Sequence, residues 1–182
     1  EILESLDVVI LRHSINLGAG AAISTGFKFI QNQKNAQAVV TFDADGQHSV
    51  EDAREFAREI LVCEEEVIFG SRFINSKSNI PIIKRIVLSV VVLFTNLLSK
   101  VNLSDAHNGL KAIKKTALKK IEIDIDQYGY ESQIINEVSK KGISYKEMPT
   151  NTIYTEYSKN KGQKLNNGLI ILEDLFKSRS KK

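Results

Sequence analysis

Two carboxylates separated by one residue follow an apolar, β-branched stretch of the chain: Asp43-Ala44-Asp45 comes directly after Ala38–Phe42. Such a stretch predicts a buried strand, which would deliver both carboxylates at its C-terminal end. Mg²⁺ and Mn²⁺ take oxygen ligands and commonly keep open positions for the phosphate oxygens of a substrate. With Gln47 and His48 as further donor groups, the segment predicts a divalent-cation site. The alternative interpretation is a solvated turn, because Asp and Gly are ordinary turn residues.

A segment with two glycines, Asn16–Ala22, precedes the first predicted helix. Gly18 and Gly20 would let backbone amides approach an anion at the helix start, where the helix dipole favours negative charge. The segment is not a dinucleotide-binding fingerprint, because Ile23 occupies the position of the third small residue. A Walker loop is excluded as well, because no Gly-Lys-Ser/Thr follows. Ligand contact and a tight turn with close helix packing both remain open.

Basic residues form a third candidate group. Arg72 follows the strand-like run Val67–Phe69, and Arg85 precedes Ser89 by about one helical turn. Arginine binds phosphate oxygens in a bidentate manner, so these residues are candidates for phosphate recognition. Isolated basic residues are otherwise ordinary surface charge. Asp105, in a polar loop, could bring another carboxylate into the same pocket.

The hydrophobic pattern places these segments between alternating strands and helices. Strands are predicted at Val8–Leu11, Ala38–Phe42 and Val67–Phe69, an extended segment at 143–154, and helices around Ile23–Ile30, Val50–Leu61, Ile86–Leu98, Ile134–Val138 and Asn167–Lys177. Ser49, with Asp52 three residues later, predicts the start of the second helix. This order predicts a single α/β domain with a largely parallel sheet.

Composition and charge exclude several classes of protein. The 182 residues carry 25 Lys and Arg against 22 Asp and Glu, and this net charge of +3 is too small to indicate nucleic-acid binding. The single cysteine, Cys63, cannot form an internal disulfide. The apolar segment Ile86–Leu98 is too short to cross a bilayer, which takes about 20 apolar residues. It is either a core helix or a helix on a membrane surface. The basic tail 177–182 is interpreted as a solvated chain end.

Further motifs extend the pattern along the chain. The ordered series is Asn16-Leu17-Gly18-x-Gly20, Asp43-Ala44-Asp45-Gly46-Gln47-His48, Gly70-Ser71-Arg72-Phe73, Arg85 with Ser89, Asp105-x-x-Asn108-Gly109-Leu110-Lys111, Tyr130-Glu131, Glu147-Met148-Pro149 and Lys159-x-x-Gly162-Gln163. Over about residues 8–175, this series resembles the family 2 glycosyltransferases of GT-A fold, especially the polyprenyl-phosphate (dolichyl-phosphate) sugar synthases. The resemblance implies a GT-A-like (Rossmann-like), mostly parallel sheet flanked by helices.

The resemblance also implies a reaction. A sugar would pass from a nucleotide-sugar donor to a lipid-phosphate or saccharide acceptor, with inversion at the anomeric carbon. Asp43, Asp45 and Gln47 would hold the Mg²⁺ or Mn²⁺ that neutralises the donor pyrophosphate. The donor site would include Gly18, Gly20 and Ala44 together with the two aspartates.

On the acceptor side, the resemblance assigns roles to residues of several segments. Arg72, and Arg85 with Ser89, would face an acceptor phosphate. Lys159 and Lys164 would contact phosphates from a C-terminal loop. Asp105 would be an active-site carboxylate and the first candidate for a general base towards a hydroxyl acceptor.

Three departures from the family pattern carry expectations of their own. Two nucleotide-recognising motifs that the family has before the position of residue 8 are absent, which predicts a fragment or an N-terminally truncated domain lacking its first one or two βα units. Asn108 and Lys111 replace the usual Ser and Arg of the acceptor loop. No transmembrane pair follows, so a cytoplasmic protein with peripheral contact at the inner membrane face is expected. The alternative functions are an inactive remnant that binds a partner or membrane surface, and a metal-dependent phosphatase or nucleotidyltransferase.

Overall fold

The computed structural model describes residues 8–74, 82–124 and 129–151. The elements in chain order are α1 Ala19–Asn32, β1 Ala38–Thr41, α2 Val50–Val62, β2 Val67–Ser71, α3 Ile82–Ser99, β3 Lys111–Lys114, α4 Lys115–Leu118, α5 Tyr130–Lys140 and β4 Tyr145–Pro149. The predicted last helix Asn167–Lys177, the basic tail, Lys159 and Lys164 lie outside the described residues.

The four strands form one sheet in the order β1-β3-β2-β4. β2 and β4 pair in parallel, whereas β3 is antiparallel to both of its neighbours, β1 and β2. Three of the four described strands therefore run in one direction, although two of the three pairings are antiparallel, and the predicted α/β class with a sheet flanked by helices is confirmed. The reversed strand β3 was not predicted.

The reversal of β3 decides where the candidate site residues meet. Lys111, the first residue of β3, pairs with Thr41 at the end of β1 and with Phe69 near the end of β2. The loop that enters β3 therefore lies at the edge of the sheet where β1 and β2 end. Open α/β sheets bind ligands at this edge.

Helices cover both faces of the sheet, each over its own apolar cluster. On one face, Phe56 and Ile60 of α2 pack with Ile68 of β2 and are fully buried. On the other face, Val67 and Phe69 of β2 belong to the larger cluster, which includes residues of α1, α4 and α5. Residues 67 to 69 thus alternate between the faces, as the pleat of a strand requires.

The predicted helix starts and faces are confirmed in part. Ser49 is the N-cap of α2, and its side chain accepts a hydrogen bond from the backbone N–H of Asp52 at 3.2 Å. Phe27 of α1 is buried as its spacing predicted. Val50 and Leu61, the two ends of the apolar segment that predicted α2, do not belong to its buried face, because their side chains are 51% and 55% exposed.

Two strand predictions need correction. Val8–Leu11 is not a strand among the described residues, and Val8, Val9 and Leu11 are exposed. A β-branched run becomes a strand only when a neighbouring strand accepts its hydrogen bonds, and no described strand pairs with this one. The second correction concerns β1, which is half-buried because it lies at an edge of the described sheet, and which ends at Thr41.

Helix α3 is longer than the apolar segment that predicted it, and it is only partly a core helix. Val91, Thr95 and Ser99 are buried. Val90, Leu93, Phe94 and Leu97, which follow a helical spacing, are 43%, 66%, 39% and 73% exposed. No helix in the described ranges has both the length and the hydrophobicity for a membrane crossing.

Candidate active site

The acidic turn after β1 is in direct contact with the loop that enters β3. A Cβ atom added to Gly109 would lie 2.1 Å from Asp43 Oδ2 and 2.8 Å from Asp43 Cγ, far inside van der Waals contact. Only glycine admits this approach. The Asp43 side chain nevertheless remains 55% exposed, so it can still meet a ligand.

His48 supports Asp43 from the protein side. Its Nε2 atom lies 3.4 Å from Asp43 Oδ2, its side chain is 9% exposed, and its ring packs against Phe42 at a centroid distance of 5.8 Å. The hydrogen bond from His48 lowers the pKa of Asp43, and the charge of Lys111 lowers it further against the effect of burial. Asp43 is therefore ionised at neutral pH, as a carboxylate ligand of a metal must be.

Asp45 and Gln47 form a compact, exposed turn. Asp45 Oδ1 accepts from the backbone N–H of Gln47 at 2.9 Å, and Asp45 Oδ2 accepts from its side-chain amide at 2.8 Å. Within the described ranges, no three His, Cys, Asp or Glu side chains are grouped closely enough to hold a metal by themselves. The donor set of two carboxylates and one amide oxygen is hard and incomplete. It fits a Mg²⁺-like ion whose coordination is completed by substrate oxygens.

Arg72 and Asp105 form a buried, bidentate ion pair. Arg72 Nε and Nη2 donate to Asp105 Oδ2 and Oδ1 at 2.6 and 2.7 Å, and the Arg72 backbone N–H donates to Oδ2 at 3.1 Å. The Asp105 side chain is 0% exposed and that of Arg72 is 12% exposed. Burial raises the pKa of Asp105, but the Arg72 guanidinium outweighs it and holds that pKa below the usual value.

This arrangement changes the expected role of Asp105. A general base must reach the proton that it abstracts. Both oxygens of Asp105 are bound to Arg72, and its side chain is inaccessible. The geometry thus favours Asp105 as the residue that orients Arg72, in place of the general base that the resemblance implied.

Lys111 lies inside the protein and points away from solvent. It is 2% exposed, its Nζ donates to the carbonyl oxygen of Asn108, and Nζ lies 3.5 Å from Glu131 Oε2. His107 Nδ1 faces the same Glu131 oxygen at 3.7 Å, and burial lowers the pKa of His107. Among the described residues, His107 Nε2 and Glu131 Oε2 have no hydrogen-bond partner.

Asn108 is also a structural residue of the loop. Its side-chain amide donates to Thr150 Oγ1 at 2.8 Å, and its Oδ1 accepts from the backbone N–H of Leu110 at 3.1 Å. Both family departures in this loop, Asn108 and Lys111, are therefore buried. They support the loop from within.

Glu147 and Glu131 were not among the candidate site residues, although both stand in motifs of the resemblance. Glu147 of β4 accepts hydrogen bonds from Ser104 and Asp105, and so contacts the loop before β3. The sequence around a charged residue does not show whether its side chain is turned inward. These two glutamates could therefore be identified only from the partners that they contact in the folded protein.

The remaining predicted residues lie on two other elements. Gly18 is the N-cap of α1 at a left-handed φ of 92°, and Gly20 is buried in the first turn. Gly18 lines a cavity of about 270 Å³ together with His13 and Thr25. No hydrogen bond joins Gly18 or Gly20 to the acidic turn within the described part of the chain.

Arg85 and Ser89 lie near the N-terminal end of α3. Arg85 is exposed, and its guanidinium carbon lies 5.9 Å from the centre of the Phe73 ring. The Ser89 hydroxyl donates to the Arg85 carbonyl oxygen at 2.9 Å, a bond within the helix itself.

Comparison with known proteins identifies the family. The sequence model described as glycosyl transferase family 2 matches residues 1–122, the part that carries the acidic turn, Arg72 and Asp105. The chain belongs to glycosyl transferase family 2. The resemblance seen in its motifs is thereby confirmed, and the transferase class is favoured over a phosphatase or nucleotidyltransferase.

Two relatives of this family 2 chain share about a third of its residues. An uncharacterized protein of Methanocaldococcus jannaschii is 36% identical over 180 residues, which are 97% of this chain and 74% of the relative. The UDP-N-acetylglucosamine–dolichyl-phosphate N-acetylglucosaminyltransferase of Methanococcus voltae is 34% identical over 173 residues, which are 93% of this chain and 68% of the relative.

Proposed function

We propose that this family 2 glycosyltransferase moves a sugar from a nucleotide-diphosphate donor to a lipid phosphate, with Mg²⁺ or Mn²⁺ at Asp43, Asp45 and Gln47. The observation that carries the proposal is the contact between Asp43 and Gly109. It puts the exposed acidic turn beside the loop that carries Asp105, the partner of Arg72. A donor held at the turn would then lie next to an acceptor held at the loop.

The charges of the site support a metal-assisted reaction. Asp43 and Asp45 are exposed carboxylates, and a donor diphosphate is itself anionic. Direct contact between the two carboxylates and the diphosphate would be repulsive. The carboxylates therefore suit a diphosphate only when a divalent cation lies between the two groups. When bound, the cation would stabilise the negative charge that develops on the leaving diphosphate.

The burial of Asp105 favours a phosphate acceptor over a saccharide hydroxyl. A hydroxyl needs a base to take its proton, and Asp105 is fully occupied by Arg72. A phosphate oxygen is already anionic and needs none. The name of the Methanococcus voltae relative, a dolichyl-phosphate transferase, agrees with this choice. A saccharide acceptor is the alternative outcome.

The step itself would be one in-line displacement. An acceptor phosphate oxygen attacks the anomeric carbon, the bond from that carbon to the donor diphosphate breaks, and the nucleoside diphosphate leaves with the electron pair. The anomeric configuration is inverted. The Arg72 charge, fixed in direction by Asp105 before any substrate binds, would hold the acceptor phosphate in line.

The exposed apolar face of α3 favours contact with a membrane surface, where a lipid phosphate is found. Val90, Leu93, Phe94 and Leu97 share that face, and the cationic Arg85 precedes it on the same helix. An amphipathic helix with basic residues can lie in the interface of an anionic bilayer. We therefore propose that the reaction takes place at a membrane surface.

The central test is transfer of radiolabelled sugar to a short polyprenyl phosphate. UDP-N-acetylglucosamine is the first donor of a panel, with Mn²⁺ or with EDTA. The expected result is Mn²⁺-dependent transfer that Asp45→Ala abolishes, while Glu55→Gln, an exposed carboxylate change on α2, retains it. Transfer that persists in EDTA or in Asp45→Ala would contradict the metal role. A wild-type chain that binds no donor would favour the inactive-remnant alternative.

A further inference from the structure

Strand β4 holds the loop that precedes β3 through two side chains on the same face of the strand. Tyr145 Oη accepts the backbone N–H of Asn102 at 2.9 Å. Glu147 binds the next part of the loop with more contacts. Its Oε1 and Oε2 atoms accept the Ser104 backbone N–H at 2.9 and 3.0 Å, and Oε1 also accepts the Ser104 hydroxyl at 2.9 Å.

The contacts of Glu147 continue to both sides of Arg72. The backbone N–H of Asp105 donates to Glu147 Oε1 at 3.3 Å, and Asp105 binds the guanidinium. On the other side, the Ser104 hydroxyl lies 2.6 Å from the Ser71 hydroxyl, and Ser71 Oγ accepts the backbone N–H of Phe73 at 3.1 Å. The Glu147 carboxylate therefore holds Asp105, the partner of Arg72. Through the hydroxyls of Ser104 and Ser71 it also holds the two neighbours of Arg72 in the chain, Ser71 and Phe73.

The donors around this position favour a carboxylate. Three donor groups, two backbone N–H groups and one hydroxyl, converge on Glu147. A carboxylate accepts from these donors with both of its oxygens, whereas a glutamine could accept through one oxygen only and would turn its NH2 group towards the Ser104 backbone N–H that Oε2 accepts. Gln in place of Glu147 would keep the size of the side chain and lose part of this hydrogen bonding.

We propose that Glu147 is a positioning residue for glycosyl transfer, which fixes the Asp105 main chain and so the direction of the Arg72 guanidinium. This inference rests on the proposed function for its kinetic consequences. Its structural consequence, a change at Arg72 when Glu147 is altered, does not depend on any activity. Glu147 lies beyond residues 1–122, the range that the family sequence model matches.

The kinetic test compares Glu147→Gln with Tyr145→Phe in the full chain. Both variants lose hydrogen bonds to the same loop, but only Glu147 reaches Asp105. We expect Glu147→Gln to lower kcat about 10- to 100-fold, because small misplacements of a positioning group have effects of that size. We expect Tyr145→Phe to change kcat by less than about two-fold. In an Arg72→Lys background, Glu147→Gln should lower kcat by less than about a further two-fold, because the effects of residues that act as one unit are not additive. Equal losses in the two variants, or an undiminished loss in that background, would overturn the proposal.

A second measurement follows the Arg72 Nε–H signal by ¹⁵N NMR, without substrates. In the wild type this proton is hydrogen-bonded and buried, so it should exchange slowly with water. We expect faster exchange in Glu147→Gln and unchanged exchange in Tyr145→Phe. Unchanged exchange in Glu147→Gln would overturn the proposal even if no transfer activity were found. Failure of wild-type transfer alone would count only against the proposed function.

Discussion

Arg72 and Asp105 form a buried ion pair that joins the end of β2 to the loop before β3, with both carboxylate oxygens bound to the guanidinium. This pair connects the loop before β3 to the sheet. Because both groups are charged and almost inaccessible, each depends on the other. Its properties give the first two predictions.

Replacing Asp105 with Asn should destabilise the protein strongly. The substitution keeps the shape of the side chain but removes the negative charge that both guanidinium nitrogens contact. Removing one partner of a buried pair costs about 3–5 kcal/mol. Urea unfolding followed by circular dichroism measures this free energy, and a loss below about 1 kcal/mol would show that Arg72 finds another partner.

Stability should fall in acid as Asp105 takes up a proton. The pKa of Asp105 in the folded protein lies below its ordinary value of 3.8, so the unfolded chain binds the proton first as pH falls. The stabilisation is therefore complete above that ordinary value and is lost as pH falls through the lower, folded pKa. Urea midpoints between about pH 2 and pH 6 check the sign. Asp105→Asn should lose less stability than the wild type as pH falls. Equal losses of stability in the two proteins would assign the effect to other carboxylates.

Gly109→Ala should weaken cation and donor binding. The new methyl group would meet Asp43 Oδ2 at 2.1 Å, so the Asp43 carboxylate must leave its present position. Gly26→Ala in α1 is a matched control, because nothing lies within 4 Å of its added Cβ. Titration of Mn²⁺ with a nucleoside diphosphate, followed by electron paramagnetic resonance, should show weaker binding in Gly109→Ala only. The same affinity in all three proteins would mean that the contact with Gly109 does not shape the cation site.

Leu93→Gln combined with Leu97→Gln should reduce binding to lipid vesicles. Burying a leucine side chain contributes about 1.5–3 kcal/mol, so two substitutions on the exposed face of α3 remove much of the apolar attraction. Val62→Gln alters an exposed apolar residue of α2 that does not belong to this face, and serves as the control. Co-sedimentation with vesicles containing anionic lipid measures the effect. Equal binding by the variant and the control would contradict a membrane contact through α3.

Part of the site could be predicted because its signals are local. Asp43 and Asp45 stand at the end of a β-branched run, and Arg72 stands at the end of another, so their location at one edge of the sheet followed from the rule that ligands bind where the strands of an α/β sheet end. The role of Asp105 did not follow in the same way. Whether a carboxylate is exposed as a base or buried against an arginine depends on packing, which spacing along the chain does not contain.

The amino-acid sequence by itself determined most of the helices and strands, the Ser49 cap of α2, the acidic turn and the α/β class. Each of these features depends on neighbours a few residues away. The tertiary structure alone decided that β3 runs against its neighbours and that Val8–Leu11 lacks a strand partner, since pairing joins residues such as Thr41 and Lys111 that are far apart in the chain. It also decided that Lys111, Asp105 and Glu147 point inward. A charged side chain enters the interior only where partners from other elements compensate its desolvation, and those partners meet only in the folded protein.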